Sequence, residues 1–291
     1  MLFYVMVFLA MAAWGGSWVA GKVISKSLDF QVTVLLRLLF TLVSFVPLLF
    51  YFKDSLKVSR QTLLQIFFTS LVMVAINQLY FMGLQTGLAG IGGVLVPTLN
   101  PVLVFLLTLF LSHQKFHLKN FMIVLLGFIG GLLILEVWNI SYVKLLASGN
   151  LFYLLCALAW AVFTLLGNSC LETTSIWVYS FYLYLFGSLV QLFFSLPFSL
   201  ASIASQGGIF WTNLVFISLF AGTFSTTVYF MATRKIGSYK ASSFSFLVPF
   251  SAVILSWFVL GEKPALSTLL GGALAVSSVY AINRARKNGA L

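Results

Sequence analysis

Two polar clusters inside long apolar runs hold the residues best placed to do chemistry. Asn77, Gln78 and Tyr80 form one; Thr226, Thr227 and Tyr229 stand at the matching offset of the other. Amides, hydroxyls and phenols exchange hydrogen bonds but offer no strong base or nucleophile, so the chemistry on offer is recognition of polar groups. The alternative is that they simply hydrogen-bond neighbouring helices. Each cluster leads to proline in an apolar run. Tyr80-Phe81-Met82 precedes Pro97 and Pro101, and Tyr229-Phe230-Met231 precedes Pro249. The copies end on Gln114-Lys115 and Glu262-Lys263, with spacings that agree to within one residue. A proline inside a helix removes one N–H and clashes with the carbonyl four residues back, which frees or bends backbone. Freed carbonyls near Asn100 (beside Pro101) and near Ser242, Ser243 and Ser245 (ahead of Pro249) give a place where a polar solute is recognised. Pro101 and Pro249 then read as paired hinges.

A second group lies earlier in the chain. Trp14, Ser17, Trp18 and Gly21 share one helical face, and the two indoles could wall a cavity or pack against a neighbouring helix. Trp160 occupies the place of Trp14 in the second half, and Gly167 that of Gly21. Arg37 is the one charge well inside an apolar run, about two turns from its end. It can snorkel, pair structurally, or attract an anionic group such as a carboxylate. The acids Asp29, Asp54, Glu136, Glu172 and Glu262 all fall at run ends or in loops. Cys156 and Cys170 show neither a disulfide nor a metal pattern. Nucleophile elbows, zinc-binding helices and phosphate loops are all missing from the sequence, so no catalytic residue, metal or cofactor is expected.

The elements that must position these groups follow from composition. The chain has 291 residues, 61% hydrophobic and 7% charged, whereas soluble domains carry roughly 25% charged residues. The runs are continuous rather than alternating, which excludes a membrane β-barrel. The chain reads as an all-α polytopic membrane protein, with the lipid bilayer as its surroundings. A spanning helix needs about 20 apolar residues, and ten such runs lie near 2–21, 31–52, 63–83, 90–111, 119–137, 149–168, 175–198, 209–231, 240–260 and 266–284. No positive segment precedes the first run, so it reads as a span and not a leader. The net charge of +11 does not point to nucleic acid, because it is explained by topology. Lys53, Lys57, Arg60, Lys115, Lys119, Arg234, Lys235, Lys240, Arg284, Arg286 and Lys287 fall on the side of the N-terminus, against Lys22, Lys26, Lys144 and Lys263 on the other. The positive-inside rule places both termini in the cytoplasm.

Ten spans divide into two sets of five, and an odd number per set inverts one relative to the other. The recurring motifs support this division, with a first repeat at 1–140 and a second at 147–286. Matched interruptions in two inverted halves point to a transporter's midplane site. Trp14, Trp18, Asn77, Tyr80, Asn100, Trp160, Tyr229 and Ser245 would line the path of a small-molecule substrate, with Arg37 as an anion contact. Gly127-x-x-x-Gly131 and Gly271-x-x-x-Ala275 would let the fifth and tenth spans pack closely, inside one chain or across a homodimer.

Trp14-Gly15-Gly16-Ser17-Trp18-Val19 followed by Lys22 and Arg37 resembles the opening of EamA-type members of the drug/metabolite transporter superfamily. Gly149 leading into Trp160-Ala161 resembles the start of that family's second repeat, and Pro249, Leu260-Gly261-Glu262-Lys263 and Gly271 resemble its end. The resemblance implies ten helices in two inverted repeats around a central cavity, and alternating access by rocking of helix groups. It implies a permease of the bacterial inner membrane that moves small metabolites, most often amino acids outward. Uptake or exchange of anionic or nucleotide-like metabolites is the second expectation, and a membrane enzyme or accessory subunit the third. One departure stands out: His113-Gln114-Lys115 replaces the family's common Gly-Glu-basic sequence in the first half, so Glu262 alone retains that acid.

Overall fold

In hydrocarbon every backbone N–H and C=O must be paired within the chain, which leaves helices as the solution for continuous apolar runs. The computed structural model describes residues 2–112, 118–134, 136, 138, 148–236, 244 and 247–287, and no strand occurs among them. Its helices are α1 (Leu2–Ile24), α2 (Phe30–Phe52), α3 (Arg60–Thr86), α4 (Ala89–Ser112), α5 (Leu118–Ile134), α6 (Asn150–Leu171) and α7 (Ile176–Ser195). There follow α8 (Gly208–Val215), a π-helix π1 (Phe216–Phe224), α9 (Ser225–Ile236), α10 (Leu247–Leu260) and α11 (Leu266–Lys287). Helix starts are set by side-chain caps: Asp29 accepts from the Gln31 N–H, Ser59 from Thr62 and Ser175 from Val178. Gly149 before α6 and Gly261 after α10 take φ of 72° and 69°, a region open to glycine without a Cβ penalty.

Among the described residues, seven helices are long and apolar enough to cross a membrane, counting α8, π1 and the start of α9 as one. Shorter apolar stretches lie at Leu125–Ile134, Leu247–Leu260 and Leu266–Ser278. Phe50, Phe193 and Phe258 are each more than 70% exposed on the outer surface. Such an apolar surface is stable against lipid and not against water. Two local expectations need correction. The described part of the fifth run is helical only to Ile134, and Glu136 turns the chain at φ 49°. The eighth run is not uniformly α-helical, because π1 interrupts it.

The packing differs between the two ends of the bundle. At the end bearing Ile24, Thr86, Ala89, Asn150 and Leu260, a single main core joins α1, α2, α3, α4, α6, α7 and α10. At the opposite end Leu49, Ile66, Cys170 and Trp177 keep α2, α3, α6 and α7 in that core. There Val7, Ala10 and Met11 of α1 join Val228, Ala232 and Val248 in a separate one. The described residues therefore form a bundle gathered at one end and divided at the other. To one side, α5 and α11 pack through small residues. A Cβ added to Gly130 would stand 2.7 Å from the Gly271 carbonyl oxygen, and one on Gly127 would stand 2.7 Å from Ser278 Oγ. Gly131 instead faces Leu99 of α4.

Candidate substrate path at the bundle centre

Helix α1 passes from one core to the other, and its two tryptophans part company. Trp18 lies 5% exposed in the main core, its ring 4.8 Å from that of Tyr80 and 5.7 Å from that of Tyr153. Trp14, one turn earlier, belongs to the smaller core, 5.5 Å from the Tyr229 ring, and its Nε1 donates to the Ala221 carbonyl at 2.8 Å. The indoles therefore do not form one wall. Trp18 meets Tyr80 and Tyr153, and Trp14 meets Tyr229. Gly21 makes room for the first pair, because a Cβ there would press on Tyr80 and Leu84. Tyr80 is buried, and its hydroxyl donates to the Ser17 carbonyl at 2.5 Å.

Asn77 is buried, and its Nδ2 donates back to Met73 within α3 at 2.8 Å. Gln78 bridges Gln31 of α2 and Gln191 of α7. Both amides thus have protein partners. Asn100 is different: its Nδ2 is buried without a hydrogen-bond partner among the described residues, as is the hydroxyl of Thr227. Trp160 packs half-buried against the main core. Pro101 lies well inside α4, while Pro249 is buried in the first described turn of α10. Ser245 and the His113–Lys115 segment lie outside the described residues.

Arg37 is half-buried with its guanidinium carbon 4.9 Å from the centre of the Tyr80 ring. Among the described residues its side chain donates to no acceptor and meets no carboxylate. The acids are engaged at helix ends. Asp29 caps α2, Asp54 takes the hydroxyl of Ser175, and Glu136 accepts from Ser267 at 2.6 Å. Further along α2, Thr41 and Ser44 reach the π1 segment at the Ser218 carbonyl and the Thr223 hydroxyl.

The gathered end is closed by contacts that the sequence did not announce. Lys22 Nζ donates to the Leu84 and Gly87 carbonyls at 2.5 and 2.7 Å, covering the C-terminus of α3. The Glu262 carboxylate accepts from Ala89 N and Gly90 N at 3.1 and 2.9 Å, capping α4. Tyr153 donates to the Leu88 carbonyl between them at 3.1 Å. A cation at a helix C-terminus and an anion at an N-terminus both complement the macrodipole. The crevice beside Glu262, lined by Leu88, Gly90, Ser256 and Thr268, holds only about 70 Å³. That admits a few waters beside the Glu262 carboxylate.

The EamA-like transporter family matches this chain at residues 1–136 and 147–284. The uncharacterized transporter YyaM of Bacillus subtilis (strain 168) is 27% identical over 209 residues, covering 70% of this chain and 67% of that protein. An uncharacterized transporter of Archaeoglobus fulgidus is 23% identical over 281 residues, covering 95% and 96%. A protein of known crystal structure superposes with a TM-score of 0.67 over 96% of this chain and 95% of that one. Its 16% identity makes the likeness one of fold alone.

Proposed function

Given that this chain belongs to the EamA-like transporter family, we propose that it is a bacterial inner-membrane permease exporting amino acids or related small metabolites by alternating access. The observation that carries this reading is Asn100. A buried amide nitrogen without a partner costs about 1–3 kcal/mol, and an orphan of this kind in a native fold calls for an explanation. This one sits next to a proline inside an apolar helix of a transporter-family protein. A polar solute passing the bundle centre supplies the missing acceptor. Replacing Asn100 with alanine lowers counterflow of a transported amino acid in proteoliposomes by about tenfold, the worth of one such bond, while membrane expression stays intact. Unchanged counterflow removes Asn100 from the path.

The same reading takes residues 1–140 and 147–286 as two inverted five-helix repeats with both termini in the cytoplasm. The gathered end then faces outward and the divided end inward. Cysteines placed near residues 2 and 287 should react with an impermeant maleimide from one side of the membrane only, and the same side for both. Labelling from opposite sides breaks the inverted arrangement. A homodimer through α5 and α11 would use their outward faces, where Phe128, Ile129, Leu269, Leu270 and Tyr280 are exposed, because their small-residue faces are spent on each other.

A further inference from the structure

Arg37 presents an incomplete site. Its cation rests on one face of Tyr80, and a cation over an aromatic face is stabilised by the ring quadrupole. That contact is made to the ring and supplies no carboxylate or carbonyl acceptor for the five guanidinium N–H donors. Among the described residues none of them meets an acceptor, and every described acid except Glu172 bonds elsewhere, at a helix end. Glu172 follows α6 at the divided end, remote from Arg37 near the start of α2. A charge inside a membrane bundle without a counter-ion is costly and marks function.

We propose that Arg37, seated on Tyr80, receives the carboxylate of the transported solute, so that substrates are small organic molecules bearing one free carboxylate. The planar fork of a guanidinium matches a carboxylate in two parallel hydrogen bonds. Lys22, at the gathered end, is already held by the Leu84 and Gly87 carbonyls. One free positive charge therefore balances a monoanionic group and not a doubly charged phosphate. This inference rests on the transport reading above and sharpens it by naming the group that is bound.

The test uses the purified protein with free amino acids, lactate and acetate as probes, each beside the carboxamide that replaces its carboxylate. At least one carboxylate should raise the melting temperature while its amide does not. Arg37→Gln should raise the half-saturating concentration of that carboxylate by about 10- to 100-fold, the range for a charged hydrogen bond. Stabilisation by amides equal to that by acids, no stabilisation by any acid, or a response unchanged in Arg37→Gln would each overturn the assignment. Should Arg37→Gln fail to fold, phenylglyoxal labelling of wild-type Arg37 read by mass spectrometry replaces it. Millimolar carboxylate should slow that labelling several-fold, and an equal rate in its presence overturns the proposal. Counterflow that persists in Arg37→Gln at the wild-type rate sinks the anion site but leaves the permease standing. Absence of counterflow for every solute in the wild type sinks the permease itself.

Discussion

Gly130→Val should leave little monodisperse protein after detergent extraction. The added Cβ would stand 2.7 Å from the Gly271 carbonyl oxygen and 2.8 Å from the Ala275 nitrogen. Both are backbone atoms of α11, and neither can rotate aside. Overpacking a core costs about 1–3 kcal/mol when side chains can adjust, so a clash with a helix backbone lies at or beyond the top of that range. The reciprocal change at Gly271 meets the Gly130 oxygen at 2.6 Å and should behave alike. Gly208→Ala is the control: nothing lies within 4 Å of its added Cβ, and alanine is the better helix former. Fluorescence-detected size-exclusion chromatography separates the outcomes. A wild-type peak for Gly130→Val would mean that α5 and α11 do not meet as described.

Loss of the Glu262 carboxylate should loosen the gathered end of the bundle. In Glu262→Ala the N–H groups of Ala89 and Gly90 lose their acceptor, and the α3–α4 turn is left to Lys22 and Tyr153. Removing a capping carboxylate costs about 0.5–2 kcal/mol, and orphaned donors raise that to about 1–3 kcal/mol. The open state of this end should then be populated from about fivefold to over a hundredfold more. Ser17 lies beneath the turn and is buried. A cysteine placed there, with Cys156 and Cys170 changed to alanine, reports the opening through its maleimide rate. Equal rates with and without Glu262 would show that the carboxylate does not hold the end shut.

The sequence made the spans legible because hydrocarbon leaves the backbone few choices, and long apolar runs broken by Asp29, Ser59 or Ser175 mark where helices begin. Partners were less legible. Trp14 and Trp18 share a helical face, yet α1 crosses between two cores, so one turn of separation gives them different tyrosines. Asn77 reads from the sequence as a path residue, and its Nδ2 donates to the Met73 carbonyl of its own helix, a partner that no spacing announces. Glu262 read as one acid in a short loop, and its partner is 172 residues away in sequence, a distance that only topology spans. Nor did any proline announce π1, whose stretch is ordinary in composition apart from Gly222 and its hydroxyl neighbours. The small residues of the fifth and tenth runs left packing within the chain and dimerisation equally open. Within the chain, Gly127 and Gly130 face Ser278, Gly271 and Ala275, while Gly131 faces Leu99 of α4.

The wide turn between Val215 and Ser225 has a mechanical corollary. Its carbonyls are claimed by neighbours: Ala221 by the indole of α1, and Ser218 by Thr41 of α2. Ser225, just past it, reaches back to the Ala10 carbonyl. Two helices, α1 and α2, are thereby yoked to one coil, and whatever displaces that coil must carry both along with it.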